Sequence, residues 1–236
     1  GEHTMKRSLV NDAIETAKEA FAAVNFKMPP FAQWTTQDWQ SHGGEADEIR
    51  ICMLGWDVTD FGQGRFDELG RTLFTLRNGS SKYGSGKDYA EKLILDPENQ
   101  RPPLHYHRNK MEDIINRGGG NVMVRLFKCT ADDQPSDESF TMQLDGVTCD
   151  VNAGETLRLE PGQSLCIPPR TIHQFWGEEG TGFRIGDKRC TVSGEVSRVC
   201  DDWEDNCWLE PCDRFCQIEE DVPARHHLVH EYPPAR

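Results

Sequence analysis

Between Ser8 and Val24 the apolar side chains fall at Val10, Ile14, Ala17, Phe21 and Val24. That spacing of three to four predicts an amphipathic helix laid on the body of the protein. Pro29 and Pro30 bar any continuation, because proline brings no amide hydrogen and clashes with the preceding turn. A short second helix is expected over Thr35–Trp39, with Thr36 as its cap before Gln37 and Asp38. Asp47–Gly64 mixes acids with Trp56 and Phe61 and reads as a structured loop whose rings pack on the body.

Beyond Gly64 the period changes from helical to strand-like. Strands are expected at Thr72–Arg77, Ala90–Leu95, His105–His107, Met111–Asn116 and Asn121–Phe127. More follow at Gly146–Val151, Glu155–Leu159, Ser164–Ile167, His173–Trp176, Gly182–Ile185 and Glu195–Val199. Turn signals such as Asp145-Gly146, Ala153-Gly154 and Pro161-Gly162 separate them. So many short strands with no helical period between them predict an all-β class. A closed or double-sheet β-barrel of jelly-roll type leaves few open edges. No repeat or linker divides residues 1–236, so one domain is expected. It would comprise a helical extension over 5–45, a barrel over 70–200 and peripheral C-terminal loops over 201–236. Gly1–Thr4 precede Met5 and read as an expression scar.

Charge narrows the function. Lys and Arg number 26 against 40 Asp and Glu, a formal net charge of −14. Such a surface disfavours nucleic acid and anionic membranes. No stretch approaches the ~18 apolar residues of a membrane helix. Nine cysteines with no secretory leader suggest free thiols in a reducing cytoplasm. Cys207, Cys212 and Cys216 cluster without the spacing of a zinc knuckle.

The chemistry concentrates between Pro103 and Gly120. On an extended strand His105 and His107 share a face, and so do Lys110 and Glu112. A turn or bulge at Arg108–Asn109 would aim all four into one cavity. Downstream, Gly162 to Ile167, a proline turn at Pro168 and then His173 supply a fourth ligand beside His105, His107 and Glu112. Three imidazoles and a carboxylate suit manganese, iron, cobalt, nickel or zinc and leave positions open for substrate oxygens. The two clusters, HxHx4E and Gx5PxRx2H, resemble the two-part signature of the cupin superfamily. Arg170 stands where the general pattern has glycine, and Gly177 where it has asparagine.

Lys110 adds an acid–base group. A neighbouring dication and desolvation would lower its pKa toward neutrality. Aldose–ketose isomerisation needs a proton carrier and a way to hold negative charge on two adjacent oxygens, and this set has both. Longer matches sharpen this reading. Met5-Lys-Arg-Ser, Pro29-Pro-Phe-Ala, Asp47-Glu-Ile-Arg and Leu54-Gly-Trp-Asp-Val-Thr-Asp-Phe-Gly are among them. With Lys110-Met-Glu-Asp-Ile-Ile-Asn-Arg-Gly-Gly-Gly, Gly194-Glu-Val-Ser and His230-Glu-Tyr, the chain resembles the bacterial D-lyxose isomerases from Met5 to Tyr232.

The resemblance implies a cupin enzyme with a divalent metal, typically manganese. It would interconvert D-lyxose with D-xylulose and D-mannose with D-fructose, as a homodimer. It implies His105, His107, Glu112 and His173 as ligands and Lys110 as acid/base. It also implies a downstream glutamate, for which Glu210 is the first match and Glu195 the second. Asp187–Ser193 looks like an insertion relative to that pattern. Rival readings are a metal-dependent cupin dioxygenase and a non-catalytic sugar-binding cupin. A cupin phosphoglucose isomerase would need a basic phosphate pocket, for which Lys92, Arg108 and Arg170 are candidates.

Overall fold

The computed structural model describes residues 3–235. Gly1 and Glu2 of the expected scar lie outside that range, whereas Thr4 is part of a strand. The helical spacing produces α1 (Arg7–Ala23), with Val10, Ile14, Ala17, Ala20 and Phe21 buried. It ends before the prolines: Val24 closes the last turn, and Asn25 adopts a left-handed φ of 59°. The second helix, α2 (Thr36–Trp39), is capped by Thr35 rather than Thr36. Thr35 accepts from the Asp38 amide while Asp38 accepts from the Thr35 amide, a reciprocal capping box.

The described residues form sixteen strands, numbered along the chain. They are β1 (Thr4–Lys6), β2 (Gly55–Thr59), β3 (Arg71–Arg77), β4 (Tyr89–Pro97), β5 (His105–His107) and β6 (Glu112–Gly118). Next come β7 (Val122–Lys128), β8 (Phe140–Leu144), β9 (Val147–Val151), β10 (Thr156–Leu159) and β11 (Ser164–Ile167). The last are β12 (Thr171–Gly177), β13 (Phe183–Ile185), β14 (Lys188–Arg198), β15 (Asn206–Trp208) and β16 (Gln217–Glu219). Nine of them make one sheet in the order β2-β3-β4-β14-β6-β11-β8-β9, with β13 on β14. Five make a second, β10-β7-β12-β5-β15. This is the double-sheet form of the jelly roll, with α1 outside it.

Ile94, Ile114 and Leu165 of the large sheet pack with Val124, Leu126 and Phe175 of the small one in a shared core. The outer face of the large sheet is covered by α1, whose Val10, Ile14 and Phe21 join Trp56, Phe74 and Leu93. Each such side chain contributes about 1.5–3 kcal/mol by leaving water. Phe21 stacks on Trp56 with the rings parallel within 3°.

The loop expected around Trp56 needs correction. Trp56 sits in β2, a strand and not a loop, and all five of its residues are buried. A strand buried on both faces shows no alternation, and Asp57 and Thr59 disguise it as polar coil. Asp187–Ser193 contributes its last six residues to the start of the long β14. That strand shifts register on β6 between Val192 and Ser193, which breaks the alternation expected of one run. At the termini β1 pairs in parallel with β16 and fastens the start of the chain to its end.

Candidate active site

The two sheets bring different chemistry to one cavity. On the small sheet His105 of β5 lies directly opposite His173 of β12. Strand β15 pairs with the other side of β5 and sets Trp208 opposite His105 and Asn206 opposite His107. On the large sheet Glu195 of β14 lies opposite Lys92 of β4 and Ile114 of β6. Between His107 and Glu112 the chain crosses from one sheet to the other. Asp205 holds that crossing: its carboxylate accepts from the Asn109 amide at 2.8 Å and the Lys110 amide at 3.1 Å.

One nitrogen of each of His105, His107 and His173 lies within 4.8 Å of the others. His105 Nδ1 is 3.0 Å from the Pro103 carbonyl oxygen and His173 Nδ1 is 2.8 Å from that of Thr171. A carbonyl only accepts, so both Nδ1 atoms carry hydrogen and both Nε2 atoms present lone pairs. His173 Nε2 then faces Glu112 Oε1 at 2.7 Å, and that carboxylate oxygen lacks a hydrogen-bond partner despite full burial. Lone pairs opposed this closely in a buried site call for a cation, and the donor set fits a divalent metal. Burial holds the His105 imidazole well below its usual pKa, helped by His173 and His107. Burial and then Lys110 also lower the pKa of His107. Both rings are therefore neutral, as metal ligation requires.

Lys110 Nζ stands 3.0 Å from Glu112 Oε2 and 3.2 Å from Glu195 Oε2. The lowered lysine pKa expected from the sequence belongs to a site with a dication beside it; the protein neighbours alone act the other way. Burial disfavours the ammonium, but Cys200, Glu112 and Glu195 outweigh it and hold Lys110 well above the usual lysine value. Burial likewise opposes the Glu112 carboxylate, yet the Lys110 ammonium keeps it well below the usual range. Glu195 is 6 % exposed and lines the cavity, whereas Glu210 is exposed and lies outside its lining. The structure thus brings together His105, His107, Lys110, Glu112, His173 and Glu195, and leaves out Glu210.

The cavity, about 70 Å³, has further walls in Trp208 and Arg214, which the sequence did not single out, and in Lys92, which it named only as a candidate for a phosphate pocket. Trp208 packs on His105 with ring centres 4.9 Å apart. Arg214 bridges Asp57 and Asp202, with Nη1 left unpartnered. Lys92 is 7 % exposed and has no hydrogen bond or ion pair among the described residues. Its position in β4 was the one available signal, since Lys92 shares strand parity with the buried Ile94. Arg170, where the cupin pattern has glycine, has a φ of 59°, a backbone shape that favours glycine.

A family model for D-lyxose isomerase matches residues 5–232. The chain belongs to the D-lyxose isomerase family. It is 44% identical to a D-lyxose/D-mannose isomerase of Escherichia coli O157:H7 over 230 residues, covering 97% of this chain and 98% of that protein. A D-lyxose/D-mannose isomerase of Serratia proteamaculans is 45% identical over 232 residues, covering 97% and 98%. Among solved structures, Cellulomonas parahominis L-ribose isomerase superposes with a TM-score of 0.58. At 14% identity, covering 93% of this chain and 100% of that one, it shows a shared fold. Membership of the D-lyxose isomerase family makes the protein a sugar isomerase of the aldose–ketose type. No helix among the described residues is long and apolar enough to cross a membrane.

Proposed function

We propose that this isomerase interconverts D-lyxose with D-xylulose and D-mannose with D-fructose. In this reading a divalent metal, first manganese, is held by His105, His107, Glu112 and His173. The observation that carries the reading is the Lys110 ammonium bridging Glu112 and Glu195 beside the three imidazoles. When bound, the cation supplies Lewis acidity that eases the build-up of negative charge on the sugar's O1 and O2. Glu195 takes the C2 proton of the open-chain aldose as general base. Lys110 orients Glu195 through their 3.2 Å contact, and passes a proton between O1 and O2. Glu195 then returns its proton to C1, and the ketose leaves with the atoms of the aldose. Trp208, packed on His105, narrows the cavity on that side. Glu210 takes no part.

The same reading makes the protein a cytosolic homodimer. Its nine cysteines are all free thiols, as a reducing compartment favours. The test is ketose formation from D-lyxose and D-mannose by metal-stripped protein, with and without added manganese. Metal-dependent product is expected, and folded protein inactive with every divalent metal would overturn the assignment. Run in D2O, deuterium at C1 of the product marks proton transfer with exchange on Glu195, since a hydride shift leaves none.

A further inference from the structure

The catalytic cavity shares a wall with a much larger groove of about 1070 Å³. Asp202, Asn206, Trp208 and Arg214 line both. On the groove side stands an aromatic platform that the proposed reaction does not use. Trp203 is 69 % exposed, and its ring lies 5.1 Å from that of Phe215. Phe215 in turn lies 4.8 Å from the ring of exposed His230. An exposed tryptophan beside a sugar cavity presents an apolar face, and a pyranose offers a matching face of C–H groups. Arg214, on the shared wall, adds a second observation. It is tied to Asp57 and Asp202 but keeps Nη1 unpartnered, an unused donor at the junction of cavity and groove.

We infer that the groove is an outer subsite for a second sugar ring, so that reducing disaccharides ending in D-mannose are also substrates. The inference rests on the isomerase reading above. The reducing unit occupies the cavity, and the ring attached through its O4 stacks on Trp203. The chemistry is unchanged. One proton moves from C2 to C1 of the reducing unit and one between its O2 and O1. The glycosidic bond stays intact, and no co-reactant is consumed.

The test compares D-mannose with β-1,4-mannobiose on manganese-loaded full-length protein, parent and Trp203→Ala. The parent is expected to convert mannobiose to 4-O-mannosyl-fructose. Trp203→Ala should raise KM for mannobiose about tenfold, the scale of one lost stacking contact. D-mannose kinetics should change less than twofold, since Trp203 does not line the cavity. Inactivity of the parent toward both D-mannose and D-lyxose would remove the isomerase reading itself, and inactivity toward D-mannose alone would overturn the subsite. If D-mannose is converted while mannobiose neither reacts nor competes, the subsite is overturned. An equal effect of Trp203→Ala on both sugars also counts against it. So does a change of mass in light scattering, which would show that a second copy of the chain covers Trp203.

Discussion

Carboxylates at three positions carry separable expectations. Glu195→Gln keeps the shape of the side chain but removes the base, so kcat should fall about 10²–10⁴-fold. Bound metal, counted by elemental analysis, should stay near parent. Glu210→Gln should remain within about twofold of parent, because its side chain is exposed and outside the cavity lining. Equal losses in the two variants would undo the choice of Glu195. The sequence ranks these two glutamates the other way round, because the path after Val199 is mostly coil and no periodicity shows which acid turns inward. The three histidines were legible because few residue types ligate metals and strand parity fixes their direction. Arg214 was not, since a single cation carries no such mark. Asp96 gives a pH prediction. Burial raises its pKa to about 6, with Arg71 and Ser193 only partly offsetting the cost. Between the unfolded value of about 4 and that folded value, the native state keeps a proton the unfolded chain has lost. Stability from this group is therefore full on the acid side and falls as pH rises through 6. A carboxyl carbon resonance for Asp96 titrating near 4 in the folded protein would contradict this.

Strand β2 shows how one element depends on one glycine. Gly55 opens the strand with φ +118°, and a Cβ there would stand 2.1 Å from the Tyr232 hydroxyl oxygen. Tyr232 donates to the Leu54 carbonyl and so pins the chain's last segment to β2. Gly55→Ala should cost about 2–4 kcal/mol through backbone strain and loss of this contact, read as a shift in the urea midpoint. A shift within 0.5 kcal/mol would show that the segment gives way freely. The Arg214 tether acts at the same scale, holding the cavity wall between β2 and the 201–216 segment. Burial opposes the Asp202 charge, but Arg214, Lys92 and Lys110 outweigh it and hold its pKa below the usual carboxylate range. The tether should therefore be fully formed above about pH 4–5 and weaken as pH falls toward that depressed value. Limited proteolysis of the segment across that range, in parent and Asp202→Asn, measures it. Only the parent should show the acid-side increase.

Across the whole molecule the proposed ligands come from both layers. His105, His107 and His173 stand on the small sheet, and Glu112 stands on the large one. A metal bound there fastens the two halves of the jelly roll across their shared core, so its removal should be felt globally. An ion that binds the folded chain alone stabilises it by about 4 kcal/mol at a thousandfold excess over Kd. For a chain of this length that corresponds to a rise in Tm of roughly 8–16 °C. Stripped protein titrated with manganese should show this rise growing with the logarithm of metal concentration. Glu112→Gln should show less of it, since the replacement amide is a poorer ligand and breaks the link between the sheets. His173→Ala should respond less as well, because it loses a ligand on the opposite layer. A rise as large in both variants as in the parent would place the stabilising ion elsewhere. A chain of net charge −14 nonetheless gathers Arg71, Lys92, Lys110 and Arg214 around one small cavity. The local acids Asp57, Asp96, Glu112, Glu195 and Asp202 balance these cations, and the electrostatics of the site are set by that internal exchange rather than by the surface.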